Sequence, residues 1–516
     1  MNQLCYGDNL EVLQKYIGEE TIDLCYIDPP FNSKRDYNQI YNNIGTEDKA
    51  QVQAFVDTWD WDDAAIEGFE KFDLASGDSR YSEKTKLLIN ALEKVLGRGS
   101  MLAYIVSLTQ RIVEIYRVLK PTGSFYLHCD PTASHYLKLI LDSVFCSKGG
   151  EYRNEIIWCY RKWTNKSNGF QHNHDVIFLY TKSKQFTFNK LENEPFKENY
   201  YQRGYSTNTI KSKNGTYSQL IVYDREKAKH LIDCGKYDKV VYREETTGVA
   251  MPDWWEISII NSQAKERLGY PTQKPEKLLE RIILASTKEG DKVLDSYCGC
   301  GTTVAVAQRL KRKWVGIDIT YQSISLILKR LEESYGKKII NNIDVSGIPK
   351  DMASVKALIE KDPLRKEYEI WAIMTYSNNR AIPNEKKGAD RGIDGKMYIT
   401  TSLSPKEQKP ILFSVKSGHV SVAQIRDFIH VIDREKAAAG VFITYEEPTK
   451  PMIKEAKEAG TFLNPLTGKP IEKLQIVTIS NILDGERENF PNVTEVLKRA
   501  ERKTDNFAEL EGLDDL

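Results

Sequence analysis

The sequence predicts an α/β protein: a doubly wound, Rossmann-like sheet with an inserted module, followed by a smaller α/β domain. Three observations predict it. Strand-like and helix-like patterns alternate over residues 1–149 and again from about 264, as they do in a largely parallel sheet. From about 150 to 263 the alternation breaks into short aromatic segments with Asn and Gly turns, which reads as an inserted module. After Ser346-Gly347-Ile348-Pro349 a separate run of helix and strand patterns begins, free of cysteine.

The elements follow in order. Asp23 to Ile27 and Ser124 to His128 read as strands, and Met101 to Lys120 as a helix stopped by Pro121-Thr122-Gly123. Thr132 to Phe145 reads as an amphipathic helix with Tyr136, Leu139, Ile140, Ser143 and Val144 on one side. Pro275 opens a helix over Glu276 to Lys288, followed by a strand at Lys292 to Asp295, a helix at Thr302 to Lys311 and a strand at Trp314 to Ile319. Beyond residue 350 the pattern gives a helix at Lys366 to Tyr376 and strands at Lys396 to Thr400 and Ile411 to Val415. A helix at Val422 to Ala439 and strands at Gly440 to Thr444 and Gln475 to Ile479 complete it. The expected units are 1–149, 150–263, 264–345 and 350–503, with an acidic tail over 504–516.

Composition narrows the class. The chain has 516 residues, 41% hydrophobic and 28% charged, which fits two to four soluble globular domains. No apolar run approaches the roughly 20 residues of a membrane helix, and Met1-Asn2-Gln3-Leu4-Cys5-Tyr6 lacks a signal-peptide core. A cytoplasmic protein with no membrane partner is therefore expected. The eight cysteines contain no C-x-x-C pair, so neither a disulfide framework nor a zinc finger is indicated. His172 and His174 read as polar loop or strand residues rather than metal ligands. Formal net charge is zero, yet Glu151 to Arg243 holds 17 Lys and Arg against 10 Asp and Glu. Trp158, Tyr160, Trp163, Tyr200, Tyr201 and Tyr205 are interleaved with them. Two readings stand side by side: a surface for phosphate contact and base stacking, and a solvated surface domain.

Two motifs carry chemistry. Asp28-Pro29-Pro30-Phe31 puts an acid, a rigid backbone and an aromatic at the end of a predicted strand, where open α/β sheets place their ligands. Taken alone, it is a strand-terminating turn. Far downstream, Val293 to Thr303 reads as a strand, a glycine turn and a helix start, suited to an adenosyl cofactor. Gly299 and Gly301 allow close backbone approach, and Asp318, at the end of the next strand, is placed to hold ribose hydroxyls. Val304 stands where the third glycine of a nicotinamide-binding G-x-G-x-x-G belongs. Cys298 and Cys300 read as small packing residues in the turn.

With Gly7-Asp8-Asn9-Leu10, Leu127-His128-Cys129-Asp130, Asn154-Glu155-Ile156-Ile157-Trp158 and Tyr270-Pro271-Thr272-Gln273-Lys274-Pro275, these motifs resemble those of the β-class DNA amino-methyltransferases over residues 1 to about 340. The resemblance implies an S-adenosylmethionine cofactor and a double-stranded DNA substrate with its target base flipped out. It implies a target-recognition region over Glu151 to about Gln263. Asp28 would accept from one hydrogen of the exocyclic amine, the Pro29 carbonyl held beside Pro30 would accept from the other, and Phe31 would stack on the base. Asp8, Thr272, Gln273, Lys274, Asp295 and Thr302 join Gly299, Gly301 and Asp318 as implied cofactor residues. Asp at position 28 resembles the adenine-N6 members, Ser being commoner in cytosine-N4 ones. No Pro-Cys dipeptide of the cytosine-C5 type occurs.

Lys387-Gly388-Ala389-Asp390-Arg391-Gly392-Ile393-Asp394-Gly395, followed by Phe413-Ser414-Val415-Lys416, resembles the core of Mrr-like restriction-endonuclease domains. It implies Asp394, Glu369 and Asp390 as Mg²⁺ ligands and Lys416 as the nuclease lysine. Ser414 departs from the usual Glu or Gln, and the structural alternative is a β-hairpin with a surface lysine. Three readings result: a restriction-modification enzyme, a methyltransferase whose second domain only grips DNA, and a DNA-binding regulator with a vestigial methyltransferase fold. A homodimer and a separate restriction or specificity subunit are the partner options.

Overall fold

The computed structural model describes residues 1–31, 35–40, 51–57, 59–75, 78–162, 170–193, 205–212, 215–222, 239–242, 249–261, 264–270, 272–384, 392–402 and 407–494. Trp163, Tyr200, Tyr201, Pro271, Asp390 and the acidic tail lie outside these residues. Among the described residues no helix is long and apolar enough to cross a membrane.

The first domain is built on a nine-stranded sheet. Its strands in chain order are β1 (Asn2–Tyr6), β2 (Ile22–Ile27), β3 (Leu119–Cys129), β4 (Glu151–Cys159), β5 (His174–Thr181), β6 (Trp254–Glu256), β7 (Lys292–Asp295), β8 (Lys313–Asp318) and β9 (Ile343–Ser346). Their spatial order is β6-β4-β5-β3-β2-β7-β8-β1-β9. Every pairing is parallel except the two made by β5, which runs against both β3 and β4. Along β2 the side chains alternate. Cys25 and Ile27 join one core layer with the helices Ser100–Val118 and Pro131–Val144, while Leu24 and Tyr26 join the other with the helix Glu276–Ser286. Burial on both faces is what a doubly wound sheet requires.

Several expected boundaries move. The long helix stops at Val118, and Pro121-Thr122-Gly123 lies within β3 rather than in a loop. Proline disfavours the helical region at Lys120, and the chain turns extended at Leu119 (φ −65°, ψ 137°). The extra residues are absorbed by a register shift between Ile22/Leu24 and Leu119/Ser124. On Pro131–Val144 the buried face is Ala133, Leu137, Ile140, Leu141 and Val144, whereas Leu139 is exposed and Tyr136 only half-buried. The boundary expected at 150 also lies inside the sheet, since β4, β5 and β6 belong to it. Beyond Thr181 the chain is pinned by Asn189, whose Nδ2 donates to the carbonyls of Leu284 and Thr287 at 2.7 and 2.8 Å. Further on, strands over Tyr205–Ser212, Gly215–Val222 and Lys239–Tyr242 form a small sheet of their own.

The second domain holds a five-stranded sheet in sequential order, β10 (Ile382–Pro383), β11 (Gly395–Thr400), β12 (Gln408–Lys416), β13 (Ala439–Thr444) and β14 (Leu474–Thr478). The helix Lys366–Tyr376 packs on it through Trp371, Ile373 and Met374. The expected helix over Val422 to Ala439 ends earlier, at Arg434. Lys436 takes a left-handed φ of 53°, and Ala437 N closes back on the Ile432 carbonyl at 3.0 Å. A lysine there carries no glycine-like stop signal.

Candidate active site

The parallel strands β2, β7, β8 and β1 are neighbours and end at one edge of the sheet. Chain geometry therefore delivers Asp28, Asp295, Asp318 and Asp8 to a common place. They border a cavity of about 590 Å³ together with Pro29, Pro30, Phe31, Thr272, Gln273, Lys274, Gly299 and Thr302. That volume suits a small-molecule ligand. The second domain contributes Leu364, Lys366, Glu367 and Ile370 to the same walls.

Asp28 is held asymmetrically. Lys274 Nζ donates to its Oδ2, while the buried Oδ1 has no hydrogen-bond partner among the described residues. His128 Nδ1 is 3.8 Å from that Oδ1 and 2.8 Å from the Tyr26 hydroxyl. On its other side His128 Nε2 lies 3.2 Å from Asp175 Oδ2, whose Oδ1 accepts from Tyr160 at 2.8 Å. Burial opposes charge on Asp175, but the hydrogen bond and charge of His128, with Lys274 and Tyr160, bring its carboxyl down to about 2. The Phe31 ring lies 5.8 Å from that of His128 and 5.4 Å from Lys274 Nζ.

The glycine turn is a compact lattice. Cys298 N donates to the Ile317 carbonyl at 3.1 Å, Gly301 N to the Cys298 carbonyl at 2.7 Å, and Gly299 N to Asp318 Oδ2 at 2.8 Å. Gly299 has φ 48°, and an added Cβ would meet the Tyr270 ring at 3.3 Å. Gly301, expected to lie against the ligand, does not border the cavity. It caps the helix Thr302–Arg309 with φ 73°, and an added Cβ would stand 2.6 Å from Ile327 Cγ1. Its glycine serves packing beneath the turn. Burial pushes the Asp295 carboxyl up to about 7, against hydrogen bonds from Thr303 and Tyr297 N. Burial also raises Asp318, whose carboxylate accepts from Thr320 N at 2.9 Å. The Cys298 and Cys300 thiols are buried and raised, as packing residues are. Gln273 borders the cavity, yet its amide is spent on its own loop, accepting from Leu268 N and donating to the Glu266 carbonyl. Asp8 caps the helix Asn9–Tyr16 and accepts from Arg111 Nη2 at 2.7 Å.

In the second domain Asp394 is buried just before β11, and Lys416 ends β12. Asp394 Oδ2 accepts from Val415 N at 2.7 Å, Ser414 Oγ at 3.3 Å and Lys416 Nζ at 3.4 Å. Glu369 pairs with Lys366 at 2.7 Å. Burial raises the Glu369 carboxyl, and the Asp394 carboxylate adds to this, while Lys366 and Lys416 oppose it. Among the described residues no group of three His, Cys, Asp or Glu is arranged to hold a metal.

A family model described as DNA methylase matches residues 22–329, more than half of the chain. The chain belongs to the DNA methylase family. A second model, described as restriction endonuclease, matches residues 367–471. Among curated relatives of this methyltransferase, the type II methyltransferase M.HpaI of Haemophilus parainfluenzae is 30% identical over 275 residues, covering 52% of this chain and 71% of that protein. The DNA adenine methyltransferase YhdJ of Escherichia coli is 25% identical over 332 residues, covering 64% and 82%. The Mod subunit of the type III restriction-modification enzyme StyLTI from Salmonella typhimurium is 24% identical over 360 residues, covering 60% of this chain and half of that one.

Sequence reading of the methyltransferase missed four features of this site. Asp175 has no motif around it, and only the reversal of β5 brings it beside His128. His128 does sit at a predicted strand end within a family motif, which was a usable signal. Lys274 reads as a cofactor residue, but its ammonium is committed to Asp28. The wall from the second domain has no local sequence signature at all.

Proposed function

We propose that this methyltransferase uses S-adenosylmethionine to methylate the N6 amine of an adenine flipped from double-stranded DNA, within one sequence context. The observation that carries the reading is the buried Oδ1 of Asp28 at the cavity, which has no hydrogen-bond partner among the described residues. A buried acceptor without a donor is costly, and an amine hydrogen would satisfy it. With the Pro29 carbonyl accepting the second hydrogen, the nitrogen lone pair is drawn out of ring conjugation and made available for in-line displacement. Lys274 fixes the carboxylate from its other side, and Phe31 offers a face for stacking. Asp8, Thr272, Asp295, Gly299, Thr302 and Asp318 would hold the cofactor, with Gln273 bracing its own loop at the cavity edge and Gly301 shaping the turn below. Bound there, the cofactor supplies an electrophilic methyl group.

Adenine is favoured by Asp at position 28, and the name of YhdJ points the same way. The test is nucleoside mass spectrometry with modification-sensitive sequencing of DNA from methylation-deficient cells expressing the unaltered chain or Asp28→Ala. N6-methyladenine in one context, lost in the variant, is expected. N4-methylcytosine would overturn the base, and cofactor binding without methylation would favour the DNA-binding regulator.

The convergence of Asp394, Glu369 and Lys416 favours a second activity, Mg²⁺-dependent DNA cleavage. Two carboxylates with waters and a substrate phosphate are a common Mg²⁺ donor set. Asp394 and Glu369 would hold the ion, which supplies Lewis acidity when bound. Cleavage of unmethylated DNA that disappears in Asp394→Ala supports a restriction-modification enzyme; no cleavage by the unaltered chain supports a DNA clamp. The StyLTI relative's description as a Mod subunit makes a restriction subunit a reasonable partner to seek, alongside a homodimer.

A further inference from the structure

We propose that the second domain completes the cofactor site of the first: the segment entering the helix Lys366–Tyr376 is a wall of the methyl-donor pocket, made by Leu364, Lys366, Glu367 and Ile370. This rests on the cofactor reading above and deepens it.

Three independent observations point to it. The first is placement, since all four residues border the cavity that Asp28, Asp295 and Asp318 border. The second is anchorage. Glu367 Oε2 accepts from the Tyr6 hydroxyl at 3.0 Å, at the end of β1, and from Tyr321 N at 3.3 Å, at the start of the helix Tyr321–Tyr335. The Tyr321 hydroxyl lies 3.0 Å from Thr375 Oγ1, and the Tyr6 and Tyr321 rings meet edge to face at 6.1 Å. The head of the second-domain helix is thus fastened to the two elements beside Asp318, by groups that are themselves mostly buried.

The third observation is the character of the lining. Ile319 is 60% exposed and Leu364 58% exposed, and both border the cavity, one from each domain. Large apolar side chains left facing water at a cavity are covered favourably by a flat heteroaromatic ring. Lys366 borders the cavity too, while its ammonium holds Glu369 at 2.7 Å. A ligand carboxylate drawn to Lys366 competes with Glu369, so occupancy of the methyl-donor pocket is linked to an acid of the nuclease-like site. By linkage the coupling is reciprocal.

The test uses the full chain and S-adenosylhomocysteine, with calorimetry for affinity and hydrogen exchange for location. The ligand should slow exchange over residues 364–376 as well as over 295–303. Leu364→Ser and Lys366→Ala should each weaken binding by roughly fivefold to tenfold. Unfolding midpoints of both variants, measured alongside, separate a binding loss from a folding loss. Protection over 295–303 alone, with unchanged affinity in both variants, would overturn the wall and leave the methyl-transfer reading standing. No binding by the unaltered chain would overturn both.

Discussion

Lys274 donates to one carboxylate oxygen of Asp28 across 246 positions of sequence, and the other oxygen, buried, has no hydrogen-bond partner among the described residues. The pair compensates charge while keeping one acceptor open. Asp28→Asn should therefore cut methyl transfer by at least about 100-fold and leave S-adenosylhomocysteine affinity within about twofold. Lys274→Met leaves a partly buried carboxylate without its counter-ion and should cost roughly 1–3 kcal/mol of stability. The double variant should lose less than the sum of the two. Urea unfolding of all four proteins checks this, and additive losses would show that the two groups are uncoupled.

Asp175 gives an acid limb to stability. Its folded value of about 2 lies below the ordinary 3.8, so the stabilisation is complete above about pH 4 and disappears as pH falls through 2. The shift corresponds to roughly 2 kcal/mol. Unfolding free energy measured from pH 5 to 2 should fall more steeply for the unaltered chain than for Asp175→Asn. Parallel curves would rule out the His128 pairing as the cause.

Asp295 acts with the opposite sign. Its folded value of about 7 lies above 3.8, so its protonated form contributes stability that is full below about pH 4 and is lost as pH rises through 7. The loss is on the order of a few kcal/mol. Between pH 4 and 8 the unaltered chain should therefore lose stability relative to Asp295→Asn. The cationic cofactor favours the ionised acid, so S-adenosylmethionine affinity should rise through pH 7 more than that of neutral-sulfur S-adenosylhomocysteine. Titration calorimetry at three pH values tests this, and identical profiles for the two ligands would contradict it.

Gly301 tests packing without touching the ligand. Ala there meets Ile327 and keeps a left-handed φ of 73°, so Gly301→Ala should destabilise by roughly 1–3 kcal/mol. The atom met first is Ile327 Cγ1, so Ile327→Ala should cost less beside Gly301→Ala than it costs alone, as read from urea unfolding. Additive losses would place the strain in the backbone alone.

The sequence was most legible where local pattern and tertiary role coincide. The strand Lys292–Asp295 and the helix Lys366–Tyr376 have the bounds that their periodicity predicts. Pro121-Thr122-Gly123 misled, because a bulge uses the same residues as a loop. Leu139 misled because an apolar residue on a helix need not face the core. At the cavity, the acids at strand ends were readable from motif and topology together. Asp175 was not, since its position depends on the reversed strand and its cross-strand register. Leu364 and Glu367 were not, since no periodicity within one domain tells where a second domain docks.

The reversal of β5 has one more effect. The chain leaves the sheet at Thr181 and returns only at β6, the outermost strand, four places from β2 and on the flank away from β7, β8 and β1. Whatever lies between these points can grow, shrink or be exchanged among relatives without re-registering the strands that carry the acids. Were that span the target-recognition region that the resemblance implies, choice of DNA sequence and competence for chemistry would be able to evolve at different speeds on one scaffold.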